Sequence, residues 1–202
     1  MNFPFIYLAS ASPRRHEILL QMGVEHEVLH VPSPPGEDEP RLDNEPPHVY
    51  VQRTAREKAE RAVHWLNQQQ ASGKVRPGTP ILSADTTVIL EDQILGKPAD
   101  QADAASMLRR LSGRKHAVHT AVVLAHAGQL HEAVSITEVH FKPLTEQEIS
   151  LYCASGEPMG KAGAYGIQGK AGMFVTRIIG SHTGVVGLPV YETGKLLSTL
   201  VP

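Results

Sequence analysis

The residues most capable of chemistry lie in separate stretches of the chain. Asp85 interrupts the apolar run Ile81-Leu82-Ser83-Ala84-Asp85-Thr86-Thr87-Val88-Ile89-Leu90. A carboxylate in such a run is costly unless it is paired, metal-bound or at the strand's exit. Buried acids of this kind serve structural capping, and they also serve as catalytic acids and bases. A second group is Ser10, Ser12, Arg14 and Arg15. Two arginines at a helix start oppose the helix dipole, yet with two hydroxyls and the free N–H groups there they suit a phosphate. The alternative is a strand–turn–helix with a solvated arginine pair. Lys58, Lys97 and Lys161 add cations, and Asp38 and Glu39 add carboxylates. Several cations with a few carboxylates match a polyphosphate and its divalent metal: the cations offset charge, and the carboxylates hold metal or activate water.

The elements that must position these groups follow from periodicity and punctuation. Phe5 to Ala9 reads as a buried strand, and His16 to Met22 as a helix with Ser12 as N-cap and Pro13 at its first position. Glu27 to Val31 reads as a strand, and Pro32 to Pro47 as a loop rich in proline and acid. That acidic run is either a solvated loop or a place where one or two carboxylates hold a metal. Val49 to Gln69 is the longest helical pattern, with Val51, Ala55, Ala59, Ala62, Val63 and Leu66 as its apolar stripe. Lys58 lies next to that stripe, and either snorkels to solvent or aims inward at an anion. Ala71 to Pro80 is a surface loop.

Beyond Leu90, Glu91-Asp92-Gln93 is a turn into Ile94-Leu95-Gly96-Lys97-Pro98, a hairpin that would return Lys97 near Asp85. Ala102 to Leu111 is a helix closed by Ser112-Gly113. Ala117 to Ala125 and Leu130 to Phe141 form a hairpin around Ala127-Gly128-Gln129. His116 and His119 lack the spacing of a helical zinc pair and read as ordinary histidines. Thr145-Glu146-Gln147-Glu148 is a capping box opening a helix to about Ala154. Six glycines between Gly156 and Gly172 defeat regular structure, but Ala162, Ala164, Ile167 and Met173 are too apolar for a solvated linker. A packed binding loop carrying Lys161, Tyr165 and Gln168 is expected there. Phe174 to Ile179 is a strand, and Gly184 to Pro189 a turn into a last helix, Tyr191 to Leu200.

Bulk properties exclude several classes. The 202 residues are 41% hydrophobic and 20% charged, ordinary for a globular chain of one sizeable domain or two small lobes. A net charge of −2 and 5% aromatics argue against nucleic-acid binding. One cysteine, Cys153, excludes an internal disulfide and a cysteine-based zinc cluster. No stretch approaches the roughly 20 apolar residues of a membrane span, and no secretory leader is evident. A cytoplasmic location is expected. Walker A, GxGxxG and Gly-x-Ser-x-Gly patterns are absent.

The motifs taken together resemble the Maf family of nucleoside triphosphate pyrophosphatases. The resemblance rests on Leu8-Ala9-Ser10-Ala11-Ser12-Pro13-Arg14-Arg15, Ala55-Arg56-Glu57-Lys58-Ala59, Ser83-Ala84-Asp85-Thr86-Thr87-Val88, Gly96-Lys97-Pro98 and Leu111-Ser112-Gly113. It continues through Ser155-Gly156-Glu157-Pro158, Lys161-Ala162-Gly163-Ala164-Tyr165-Gly166-Ile167-Gln168-Gly169 and Val186-Gly187-Leu188-Pro189, and so runs in order along nearly the whole chain. It implies an α/β, two-lobed Maf/ITPase-like fold over residues 1–202, with a mixed twisted sheet, flanking helices and a central cleft. It implies hydrolysis between the α and β phosphates of a nucleotide with a divalent cation, Mg²⁺ or Mn²⁺, by a cytoplasmic homodimer.

The resemblance assigns roles residue by residue. Asp85 is the proton acceptor. Ser10, Arg14, Arg15, Lys58 and Lys97 hold phosphates, and Glu39 assists metal or water, so that Asp85 and Glu39 are the expected metal ligands. Thr86 and Gln168, with the arginine pair, resemble the branch acting on dTTP and UTP; the 7-methyl-GTP branch typically has Gln where this chain has Thr86. Gly160 departs from the family, which usually shows an acid there. A Gln amide can donate to a thymine or uracil carbonyl while accepting from the imide N–H. The one methyl separating the two bases is worth roughly 1–3 kcal/mol, so weak discrimination between them is expected. A nucleotide-binding regulator of cell division that does not hydrolyse is the alternative from another class.

Overall fold

The computed structural model describes residues 3–34, 39–69 and 75–201. Of the acidic run, Glu37 and Asp38 lie outside the described residues, as do residues 71–74 of the expected surface loop. The chain divides into two units. The first comprises Met1–Asp85, Ala121–Val134 and Gly187–Pro202, and the second Thr86–Thr120 and Ser135–Val186.

In the first unit, β1 (Ile6–Leu8) leads into α1 (Pro13–Gln21) and β2 (His26–Val28), and α2 (Pro47–Gln69) precedes β3 (Ile81–Leu90). β1 pairs in parallel with β2 and with β3. Parallel neighbours need a covering helix, and α2 supplies it. Its small residues Ala55 and Ala59 pack with Val51 against Ala121 and Val123, while Ala62 and Leu66 meet Tyr7, Leu29 and Ile81. Val63, expected in the stripe, is only half-buried. The final helix, α6 (Val190–Ser198), also belongs to this unit.

In the second unit β3 turns through Glu91 and Asp92 into β4 (Gln93–Leu95). Both turn residues have positive φ, 49° and 62°, the conformation that matches the twist of a two-residue hairpin. The antiparallel ladder ends at Val88–Leu95. Carried two residues further, that register would set Lys97 opposite Thr86; instead the Gly96 carbonyl accepts from Gly163 N–H. α3 (Gln101–Leu111) starts on Asp100, whose side chain accepts from Asp103 N–H. β5 (Lys115–His126) and β6 (Gln129–Phe141) flank Ala127-Gly128, a turn that belongs to the first unit, again with positive φ at both residues. α4 (Glu146–Ala154) opens on the Thr145–Glu148 capping box. β7 (Val175–Ile179) runs antiparallel to β6. The expected turn at Gly184–Pro189 is partly helical, because α5 spans His182–Val186.

The whole is a mixed α/β fold with a seven-stranded sheet in the order β2-β1-β3-β5-β6-β7, β4 lying off this path on β3. β3, β5 and β6 each carry residues of both units. The core of the second unit includes Leu108, Leu111, Phe141, Ile149, Tyr152 and Tyr165. The glycine-rich segment is packed, with Gly163 to Ile167 and Ala171 buried, although Met173 is exposed. Gly163 has φ +67°, and a Cβ there would sit 2.8 Å from Val88, so this turn strongly favours glycine.

Candidate active site

β1 ends beside the first residues of β3, which continues past it, and this places the first chemistry. Leu8 pairs with Leu82, so the parallel register carries Ser10 and Ala11 toward Ala84 and Asp85. Ligands of open α/β sheets bind outside the carboxyl ends of strands, and here that end is β1's. Ser83 and Asp85, two apart on β3, share a face. Ser83 Oγ donates to the Ala55 carbonyl at 2.9 Å, and Asp85 meets Lys58 about one turn further along α2.

Lys58 Nζ donates to Asp85 Oδ1 at 2.6 Å and also pairs with Glu39. Lys58 therefore points inward, not along the surface to solvent. One ammonium thus holds two carboxylates, with side-chain exposures of only 17%, 7% and 19% for Lys58, Asp85 and Glu39. Glu39 is set by α2 as well: Tyr50 OH donates to its carbonyl at 3.1 Å, and Arg53 donates to the Pro40 carbonyl at 2.8 Å. Arg53 also forks onto Glu45 at 2.6 and 2.7 Å.

Arg15 is the third charge of this cluster. Its Nε donates to the Gly187 carbonyl at 2.8 Å and its Nη1 to Ser10 Oγ at 2.9 Å. Gly187 takes φ +127°, a conformation that L side chains rarely adopt. Burial lowers the Arg15 pKa, the charges of Asp85 and Glu39 oppose that, and Arg14 adds to it. The guanidinium stays charged at any working pH. For Asp85, burial pushes the pKa up, but Lys58, Arg15 and a hydrogen bond from Thr54 together hold it below the usual carboxylate range. The first unit therefore groups Ser10, Arg15, Glu39, Lys58 and Asp85, with half-buried Arg14 close enough to act on Arg15.

The expected Ser12 cap takes another form. Ser12 occupies the N-cap position with extended backbone and Pro13 follows it, but its side chain makes no capping bond. Its own N–H donates to Ser10 Oγ at 3.3 Å, so Ser10 serves both Ser12 and Arg15.

Thr86, Lys97 and Gln168 belong to the second unit. Thr86 is half-buried with its Oγ1 3.0 Å from Thr120 Oγ1, while Lys97 and Gln168 are exposed. Lys161 donates to the Glu157 carbonyl, and the Glu157 carboxylate accepts from Tyr152 OH and Lys170 N–H. These bonds anchor the loop around Gly160, whose φ of +72° favours glycine. Tyr165 is a core residue: its hydroxyl lies 2.8 Å from His116 Nε2, and burial pushes its pKa up. His116 is buried too, with its pKa lowered to about 4 by burial and the charge of His140.

Two partners of expected residues escape a sequence reading, Thr54 in the first unit and Thr120 in the second. Thr54 precedes Lys58 by four residues and so shares its face of α2. The available signal is its spacing, three residues after Val51 and next to Ala55 in the apolar stripe, and the structure leaves it 1% exposed. Nothing local marks Thr120, which matters through its contact with Thr86.

Among the described residues no group of three or more His, Cys, Asp or Glu side chains comes together to hold a metal. The oxygen donors of Asp85 and Glu39 nonetheless suit a hard cation. Mg²⁺ is held in this way, by one or two carboxylates plus substrate phosphates, and keeps several waters.

Fold and site define a mixed α/β protein with a carboxylate–ammonium–guanidinium centre, Asp85 buried and Lys58 and Arg15 half-buried, near the carboxyl end of β1. The chain belongs to the Maf-like protein family, whose model matches residues 5–200. Relatives agree in length and sequence. A protein of Bordetella pertussis named dTTP/UTP pyrophosphatase is 61% identical over 194 residues, covering 96% of this chain and 91% of the relative. Proteins of the same name from Cupriavidus metallidurans and Dechloromonas aromatica are 51% and 47% identical over 197 and 199 residues. They cover 95% and 96% of this chain, and 94% and 96% of their own lengths. No helix among the described residues is long and apolar enough to cross a membrane.

Proposed function

We propose that this chain is a nucleoside triphosphate pyrophosphatase that hydrolyses dTTP and UTP to the monophosphate and pyrophosphate. The observation that carries the reading is the Asp85 carboxylate held ionised by Lys58 beside Arg15, in a chain whose relatives bear that name. Residues 1–202 act as one Maf-type domain, a cytoplasmic homodimer engaged in clearing nucleotides.

Arg14, Arg15, Ser10, Lys58 and Lys97 hold the triphosphate. Asp85 accepts a proton from the water whose oxygen bonds to the α phosphorus. The bond from that phosphorus to the bridging oxygen breaks, and pyrophosphate leaves with the electron pair. Asp85 and Glu39 would hold a divalent cation, Mg²⁺ or Mn²⁺, which would neutralise charge on the phosphates. Lys58 links binding to chemistry. An incoming phosphate competes with Asp85 for its ammonium, and as that partner is shared the Asp85 carboxylate becomes more basic. Thr86 and Gln168 read the base.

The test is pyrophosphate release from a panel of dTTP, UTP, CTP, dATP, dGTP and 7-methyl-GTP, with Mg²⁺ and with Mn²⁺. The reading expects dTTP and UTP to be turned over within about a factor of 200 of each other, the range one methyl supports. Purines are expected to be poor substrates. Equal turnover of dATP and dTTP overturns the base assignment. Tight dTTP binding without pyrophosphate release would instead mark a non-hydrolysing nucleotide sensor, and preference for 7-methyl-GTP the other branch of the family.

A further inference from the structure

Thr86, Thr120 and Gly184 form a short relay inside the second unit. Thr120 Oγ1 donates to the Gly184 carbonyl at 2.8 Å and lies 3.0 Å from Thr86 Oγ1. Thr120 is fully buried and Thr86 half-buried. A hydroxyl has one proton and two lone pairs, whereas a carbonyl oxygen only accepts. The single Thr120 proton is therefore committed to Gly184, and in the remaining contact Thr86 donates to Thr120. Whatever else Thr86 Oγ1 meets, it can only accept.

The acceptor at the end of the relay is itself fixed. Gly184 N–H donates to Ser181 Oγ at 3.0 Å, and Ser181 N–H donates to Thr137 Oγ1 of β6 at 2.9 Å. A Cβ at Gly184 would lie 3.1 Å from Ser135 Oγ, so the backbone here sits close against β6. The carbonyl that takes the Thr120 proton thus has little room to turn away.

We propose that Thr120 is a positioning residue for base recognition: by taking the Thr86 proton it makes Thr86 a pure acceptor, selecting bases that carry a ring N–H. The inference rests on the preceding reading, with Thr86 at the base. Thymine and uracil offer an imide N–H to such an acceptor. The equivalent nitrogen of cytosine carries a lone pair, so cytosine meets Thr86 oxygen to nitrogen with no proton between them. Gln168 is then left to donate its amide N–H to a flanking carbonyl of the base.

The decisive measurement is the ratio of kcat/KM for UTP to that for CTP, in wild type and in Thr120→Val, Thr120→Ala and Thr120→Ser. Valine keeps the shape of threonine and removes the acceptor, so Thr86 regains a proton it can turn toward the base. The UTP/CTP ratio is then expected to fall about tenfold, the scale of one hydrogen bond, and chiefly through KM. Serine keeps the hydroxyl and is expected to retain the ratio within about twofold. A residue that merely packs would lower both substrates together and leave the ratio alone.

Thr120→Ala removes the same acceptor without the valine methyl, and serves if the valine variant does not fold. The wild-type ratio in a folded valine or alanine variant, or its loss in the serine variant, overturns the proposal. Affinities for the α,β-imido analogues of UTP and CTP, by calorimetry, read the same preference without turnover. Wild type that releases no pyrophosphate would overturn the functional reading alone. Wild type that binds the two analogues equally would overturn the relay.

Discussion

Lys58→Met is the sharpest perturbation of the site, because one side chain offsets both buried Asp85 and half-buried Glu39. The variant keeps the length of the stem and removes the ammonium that meets Asp85 at 2.6 Å and also pairs with Glu39. Asp85 is then buried with its largest favourable influence gone, and only Arg15 and Thr54 remain to hold it ionised. Breaking a buried pair by removing one partner costs about 3–5 kcal/mol. For a chain of this size each kcal/mol is about 2–4 °C, so the melting temperature at neutral pH should fall by roughly 6–20 °C. The sign reverses with acid. In wild type the Asp85 pKa is depressed, so its contribution is present above the unfolded pKa and is lost as pH falls through the folded one. In the variant, burial dominates and raises that pKa, so protonation relieves the strain. The gap between the two proteins should therefore narrow as pH falls through the carboxylate range. The assay is thermal unfolding at several pH values with chelator present, alongside the double variant Lys58→Met/Asp85→Asn. The double variant should recover most of the lost stability. A drop of under about 2 °C, less than one kcal/mol on the same scale, or a double variant no better than the single, would refute the reasoning.

Three further outcomes are expected. Asp85→Asn should lower kcat for dTTP by about 10²–10⁴, the contribution of a positioned general base, while nucleotide affinity stays within a few fold; stopped-flow pyrophosphate detection and calorimetry separate the two. His116 has a pKa near 4 in the fold against an ordinary 6.5, so the unfolded chain binds the extra proton and stability is lost as pH falls from about 6.5 toward 4. His116→Gln should flatten that part of the profile of urea midpoint against pH, and an unchanged slope would contradict the assignment. Gly163→Ala must both adopt φ +67° and fit a methyl 2.8 Å from Val88, and should cost about 2 kcal/mol or more, read as a lower urea midpoint.

The readable parts of this molecule are those governed by neighbours in the chain. The Thr145–Glu148 capping box and the Ala127-Gly128 turn are each settled within four residues, and both form as expected. β3 matches the apolar run Ile81–Leu90 residue for residue, with its single carboxylate. Ser12 shows the limit of such rules. It stands at the N-cap position, yet its hydroxyl does not cap, and its N–H turns to Ser10 instead. α5 is missed because the glycines around it read as a turn. Tyr165 looks like a ligand contact among glycines but is core, since its partner His116 is 49 residues away.

By itself, the sequence determined which chemistry was available: a lone acid in an apolar strand, arginines at a helix start, a lysine beside an alanine stripe. Those features follow from side-chain type and from the periods of helix and strand, which are local. Only the tertiary structure decided that Lys58 turns inward, that Glu39 joins Asp85 on its ammonium, and that Thr120 takes the proton of Thr86. These are choices of partner between residues 19 to 34 positions apart. They depend on strand register and helix packing, and on where each buried polar group finds its hydrogen bond.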